Sequence, residues 1–216
     1  MDRLTMLKLY HAPRSRSSRF LSLLEEIGEP YEVELVDIRA PGGAPEAYRA
    51  IHPHKKVPAL VHDGVIVTES AAICLYLTDA FPGAGLGPQI GDPLRGQYLT
   101  WLAYSAGVIE PALTARSHGW KYEAVGAAFG RFEDVEQLLT DTLEENEYVL
   151  GESFSAADVL IASSIMFATR LMKVLPESAA FDAYLDRVFT RPGIRRGFDK
   201  DEEFAKARAE RAAEAG

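Results

Sequence analysis

The densest group of residues able to do chemistry is the run His11-Ala12-Pro13-Arg14-Ser15-Arg16-Ser17-Ser18. It holds three hydroxyls, two guanidinium groups and an imidazole, and its composition is that of a loop. Before it, Met6, Leu7, Leu9 and Tyr10 surround one Lys8, the pattern of a short strand buried over most of its surface. After it, Phe20, Leu24 and Ile27 fall on one helical face, widened by Leu21 and Leu23, and Gly28 stands where a left-handed cap ends a helix. The predicted order is strand, loop, then a helix starting near Ser17 or Ser18. Such a helix start gathers free backbone N–H groups, hydroxyls and positive charge, and an anion would be held there.

The elements that must position this loop follow in order. Tyr31, Val33 and Leu35 alternate with Glu32 and Glu34, a second strand that would pair in parallel with the first through the helix crossover. Pro41, Gly42 and Gly43 mark a flexible loop, and residues 46–51 could make one helical turn. Asp63-Gly64, between Ala59-Leu60-Val61 and Val65-Ile66-Val67, signals a hairpin. Helical spacing returns over residues 68–78. The Gly- and Pro-rich stretch 82–93 reads as an interdomain linker. Beyond it, helices are expected over 94–115 with a bend at Pro111, over 122–145, over 155–171 as the most apolar and central, and over 181–189. Ser155 and Asp158 resemble a capping box. The charged, Ala-rich tail from Asp199 reads as a fraying surface helix.

Composition narrows the possible roles. At 216 residues the chain has room for one or two domains with a sizeable core. Its formal net charge is −9, divided as −2 before Pro82 and −7 from there on. An acidic chain is a poor partner for nucleic acid or anionic lipid, so neither nucleic acid nor membrane is expected as a partner. Arg14, Arg16, Arg19, Lys55 and Lys56 nevertheless gather around two loops, which suits a small anionic ligand. No run is apolar enough to cross a membrane and no secretion signal is evident; with Cys74 as the one cysteine, a reducing, cytoplasmic setting is expected. His52 and His54 lack the cysteine or carboxylate company of a metal site, so no metal is expected. Cys74 lies within an apolar helix and reads as packing.

Three segments together resemble the cytosolic glutathione transferases, of bacterial type with a serine-type active site. They are the run from Leu7 to Gly28, the stretch Ile51-His52-Pro53-His54-Lys55-Lys56-Val57-Pro58-Ala59-Leu60, and Thr68-Glu69-Ser70-Ala71-Ala72-Ile73. Their order and separation match as well, and the similarity runs nearly the whole chain. The resemblance implies a thioredoxin-like α/β domain over 1–82, a linker over 83–92 and an all-helical domain over 93–216. It implies glutathione as co-substrate, a small apolar electrophile as second substrate, and a homodimer. Pro13, Ser15 and Arg19 have the spacing of the family's active serine, so the resemblance makes Ser15 the hydroxyl that donates to the thiolate. The loop reads Ser-Arg-Ser-Ser-Arg where relatives often carry proline or cysteine, which keeps Ser17, Ser18 and a backbone N–H open as donors and admits Arg16 as an electrostatic contributor. Val57-Pro58, cis in the family, would pair its backbone with the cysteinyl unit. Glu69 and Ser70 would hold the γ-glutamyl end, and Lys55 or Lys56 the glycine carboxylate. Tyr10, His11, Tyr104, His118 and Trp120 are available to line an electrophile pocket expected between the domains.

An ordinary cysteine thiol titrates near pH 8.5. Lowering that by roughly two units requires about 2.7 kcal/mol in favour of the thiolate. One hydrogen bond to a charged acceptor supplies about 1.5–3 kcal/mol, and a helix N-terminus about 0.3–1 kcal/mol. One well-aimed hydroxyl therefore suffices in principle, without metal or general base. Conjugation has two rivals: a glutathione-dependent disulfide reductase or peroxidase, and a non-catalytic binding module of the same fold. The loop carries no cysteine, so in disulfide exchange glutathione would supply every sulfur.

Overall fold

The computed structural model describes residues 6–214. It falls into two compact units. One joins the chain up to Tyr76 to the chain from Arg191 onward, and the other runs Leu77–Thr190.

In the first unit, β1 (Leu7–His11) pairs in parallel with β2 (Glu32–Leu35) and antiparallel with β3 (Ala59–His62), which pairs antiparallel with β4 (Val65–Thr68). The sheet order is β2-β1-β3-β4, the thioredoxin-like mixed sheet. The β3–β4 turn is the expected two-residue one, Asp63 and Gly64 both having positive φ (49° and 85°). Helix α1 (Ser18–Ile27) connects β1 to β2 and buries Phe20, Leu21, Leu23 and Leu24; its chain reverses at Gly28, φ 82°. Helix α2 (Ser70–Ala80) starts two residues later than the spacing predicts, because Glu69 is left-handed (φ 70°) and ends the strand before the helix can begin.

The second unit is helical. The expected helix over 94–115 is two helices, α3 (Arg95–Tyr104) and α4 (Glu110–Ser117), separated by a π-turn over Ser105–Ile109. The disturbance lies just before Pro111, whose missing N–H is tolerated in the first turn of α4. The helix expected over 122–145 is shorter. Only α5 (Phe132–Glu145) forms, because Gly130 is left-handed (φ 64°) and Val125 packs on nothing. Helix α6 (Ala156–Met166) is the buried central one, continued by a π-turn over Phe167–Leu171, and α7 (Ala179–Phe189) follows. The Asp158 carboxylate accepts the Ser155 N–H (2.8 Å), the Val149 N–H (2.9 Å) and the Tyr184 hydroxyl (3.0 Å), so the capping box also ties in two other segments.

Two boundary expectations differ from the structure. The predicted linker is anchored at its middle: Leu86 is buried, its carbonyl accepts the Ala156 N–H, and Gly87 lies against Thr78, while Ile90 is exposed. The predicted fraying tail is α8 (Pro192–Glu214), which packs along α1 within the first unit. A Cβ on Gly197 would come within 2.3 Å of the Ser22 backbone nitrogen, so only glycine permits that approach. Ser22 Oγ donates to the Ile194 carbonyl. Glu25 pairs with Arg196 and Lys200, and Glu26 with Arg191.

Candidate functional site

Strand register brings the three sequence-predicted segments to one edge of the sheet. Tyr10 lies opposite Ala59, and Ala59 opposite Thr68. The chain leaving β1, the chain entering β3 and the chain leaving β4 therefore emerge side by side. These are the serine loop, Val57-Pro58 and Glu69-Ser70. The Val57–Pro58 peptide is cis. Three of the non-glycine residues with positive φ, Arg14, Lys55 and Glu69, stand at this edge, each where a turn re-aims the chain.

Beneath the edge, Tyr10, Ala12, Val36, Tyr48, Val57 and Ala59 form a buried cluster. The Tyr10 and Tyr48 rings lie 5.5 Å apart, and the Tyr48 hydroxyl donates to the Lys56 carbonyl, fixing the residue before Val57. Lys55 Nζ points at the Gly42 carbonyl and at Glu46 (3.4 Å). His52 Nδ1 accepts the His54 N–H, a local turn contact. Glu69 is exposed and Ser70 half-buried at the first residue of α2. Among the described residues no group of three or more His, Cys, Asp or Glu could hold a metal ion.

In the serine loop the hydroxyls are turned toward one another and toward α8. Ser17 occupies the N-cap position of α1, but its side chain makes no capping bond and is completely buried. Its hydroxyl lies 2.8 Å from His11 Nδ1 and 2.8 Å from Ser15 Oγ, and accepts the Ala12 N–H at 3.0 Å. Ser15, half-buried, accepts the Ser17 N–H at 3.1 Å. Ser18 Oγ donates to Asp201 (2.8 Å) and accepts the Ser15 N–H. Asp201, on α8, also accepts the Arg14 N–H and sits 3.0 Å from His11 Nε2. Burial acts to raise the Asp201 carboxyl, but the contacts from His11, Ser18 and Arg14 outweigh it and hold the group below the usual carboxylate range. The sequence reading left Asp201 out. It lies 183 residues beyond Ser18, inside a charged tail whose composition resembles solvated surface.

Of the residues proposed for an electrophile pocket, Tyr10 and His11 belong to the first unit and Tyr104, His118 and Trp120 to the second. Tyr10 and His11 are buried inside the first unit, His11 between Ser17, Asp201 and the Phe204 ring, so neither offers a face to a substrate. The correction follows from β1 running one residue further than expected, to His11. In the second unit Tyr104 packs edge-on to Trp101. His118 and Trp120 are exposed neighbours, their rings 5.7 Å apart, and Trp120 lines an open cavity of about 750 Å³ with Arg116, Tyr122, Arg131 and Phe132. Cys74 is fully buried, and burial pushes its thiol up to about 12, which keeps it protonated and inert.

Residues 9–85 match the family model described as the N-terminal domain of glutathione S-transferases. The chain is 32% identical over 185 residues to glutathione S-transferase 3 of Schizosaccharomyces pombe, covering 76% of this chain and 75% of that protein. It is 28% identical to the disulfide-bond oxidoreductase YfcG of Escherichia coli, covering 87% and 92%. It superposes with a TM-score of 0.73 and 26% identity on a sphingomonad glutathione S-transferase complexed with glutathione, covering 90% of this chain and 98% of that one.

Proposed function

The chain belongs to the glutathione transferase family, and on that premise we propose that it binds glutathione at the sheet edge of the first unit and transfers its thiolate to small apolar electrophiles. The observation that carries this reading is the convergence at one edge of the serine loop, the cis Val57–Pro58 peptide and the left-handed Glu69 before Ser70.

In this reading the Val57 backbone holds the cysteinyl unit. Glu69 takes the γ-glutamyl ammonium, and the Ser70 amide and hydroxyl, at the start of α2, take its carboxylate. Lys55 and Lys56 face the glycine carboxylate; Lys55 would exchange Glu46 for the ligand. Ser15 donates to the sulfur, the one of the three serines whose hydroxyl is neither fully buried nor bound to Asp201. A homodimer, a detoxifying role and a cytoplasmic setting belong to the same reading.

Titration calorimetry with glutathione, followed by an assay with a generic aryl halide, tests it. Micromolar to millimolar binding with conjugation supports the transferase; absence of binding leaves only a non-catalytic module of this fold. A second reading, glutathione-dependent disulfide reduction, draws on the similarity to an oxidoreductase. With Cys74 buried, glutathione would supply both thiols, and turnover of a mixed disulfide above turnover of the aryl halide would favour it.

A further inference from the structure

The contacts behind Ser15 form an unbroken line. Ser15 Oγ lies 2.8 Å from Ser17 Oγ, Ser17 Oγ 2.8 Å from His11 Nδ1, and His11 Nε2 3.0 Å from Asp201 Oδ1. Only the first member reaches the surface; Ser17 and His11 are completely buried and Asp201 nearly so. Counting donors and acceptors gives the line one consistent direction. His11 Nε2 lies 3.0 Å from the Asp201 carboxylate, outside hydrogen-bond alignment; with the ring proton placed on that nitrogen, beside a group that can only accept, Nδ1 is an acceptor. Ser17 then donates to Nδ1, nearer than its other acceptor, the Ala12 carbonyl at 3.3 Å. Ser17 Oγ accepts the Ala12 N–H and the Ser15 hydroxyl. Ser15 Oγ accepts the Ser17 N–H, which leaves it a second lone pair. In this arrangement the free position at the Ser15 end is a proton acceptor.

We propose that this line is a proton relay, with the His11–Asp201 pair as the final acceptor of the glutathione thiol proton. This rests on the reading that glutathione binds with its sulfur at Ser15. The thiol S–H bond breaks and its proton passes to Ser15 Oγ. The Ser15 proton moves to Ser17 Oγ, and the Ser17 proton to His11 Nδ1. The products are a thiolate and an imidazolium held against the Asp201 carboxylate. No oxidant, reductant or metal takes part. The transfer reverses each hydrogen bond: His11 now donates to Ser17, Ser17 to Ser15, and Ser15 to the sulfur. One event both removes the proton and turns the Ser15 hydroxyl toward the anion. The charged groups around the pair come from α8 and the loop: Asp201 and Glu202 on one side, Arg14 on the other, its guanidinium paired with Glu202 at 2.8 Å. His11, Ser17 and Asp201 act through Ser15 and are positioning residues.

Counting protons tests the relay on the unmodified chain. Glutathione is titrated at neutral pH in buffers of differing ionisation heat, while ultraviolet difference absorbance reports thiolate. A relay keeps the proton inside, so thiolate should appear with close to no proton released to buffer. Release of about one proton for each thiolate formed overturns the relay and leaves glutathione binding intact. Binding without thiolate overturns the relay together with the role of Ser15. No binding overturns the proposed function instead. Ser17→Ala, His11→Asn and Asp201→Asn should each lower kcat about a hundredfold with the KM for glutathione little changed. Any of these variants that still forms thiolate should release the proton that the unmodified chain retains. Variants that form thiolate as the unmodified chain does, with the same proton count, overturn the relay. Should buried substitutions prevent folding, the proton count of the unmodified chain decides alone.

Discussion

Ser15 is the serine of the loop that is only half-buried and not bound to Asp201, and its hydroxyl lies 2.8 Å from that of the buried Ser17. Its removal therefore has a defined cost. A hydrogen bond to a charged acceptor is worth about 1.5–3 kcal/mol, so Ser15→Ala should lower kcat/KM for conjugation roughly 10- to 150-fold. Glutathione affinity should change little, because the other contacts proposed for the peptide lie on the segment entering β3 and at the start of α2. Steady-state kinetics beside calorimetry would show this split; an unchanged kcat would place the thiolate donor elsewhere, on Arg16 or a backbone N–H. The loop serines were legible as a group in the sequence. Which one is half-buried, which is fully buried and which binds Asp201 was not, because those partners come from packing against α8.

At the scale of elements, two close contacts carry more than their sequence suggests. Helix α8 approaches α1 so closely at Gly197 that a methyl group would meet the Ser22 backbone. Gly197→Ala should cost about 1–3 kcal/mol, the range for overfilling a packed site. It should also shift Asp201, so urea midpoints and conjugation rate should fall together. In the second unit, Asp158 serves the Ser155 and Val149 N–H groups and the Tyr184 hydroxyl. Burial raises the Asp158 carboxyl while those donors counter it. Asp158→Ala would strand buried donors at about 1–3 kcal/mol each, and should leave little folded protein by circular dichroism; a near-normal melting curve would mean that the segment rearranges. The box itself was readable from Ser155 and Asp158; its reach to Val149 and Tyr184 was not, since those partners are set by packing.

For the molecule as a whole, the joining of the tail to the first unit has a pH signature. Burial acts against the Glu25 charge, but hydrogen bonds from Lys200, Arg196 and Tyr31 prevail and bring its carboxyl from 4.5 down to about 2. A carboxylate held below its unfolded value stabilises the folded state fully above about pH 4.5, and this contribution is lost as pH falls toward 2. Asp201 is depressed as well and acts in the same direction. Acid should therefore loosen α8 from α1 over that window. Glu25→Gln should lower stability at pH 7 and flatten the acid limb of an unfolding titration; identical limbs for the two proteins would dissociate Glu25 from the docking of α8.

Local pattern determined much of this protein by itself. Alternation, the Asp-Gly turn, the apolar stripe of α1 and the three motif segments were enough for the strands, the hairpin and the entry of those segments at the ends of strands, because each is encoded within a few residues. Tertiary structure decided the rest. That the charged tail is a partner of α1, that Leu86 is buried within 83–92, and that His11 is buried against Asp201 depend on groups far apart in sequence meeting through glycine contacts and ion pairs. Hydrophobic periodicity carries no record of such meetings, since a charged helix docked by salt bridges and a solvated one are written in the same residues.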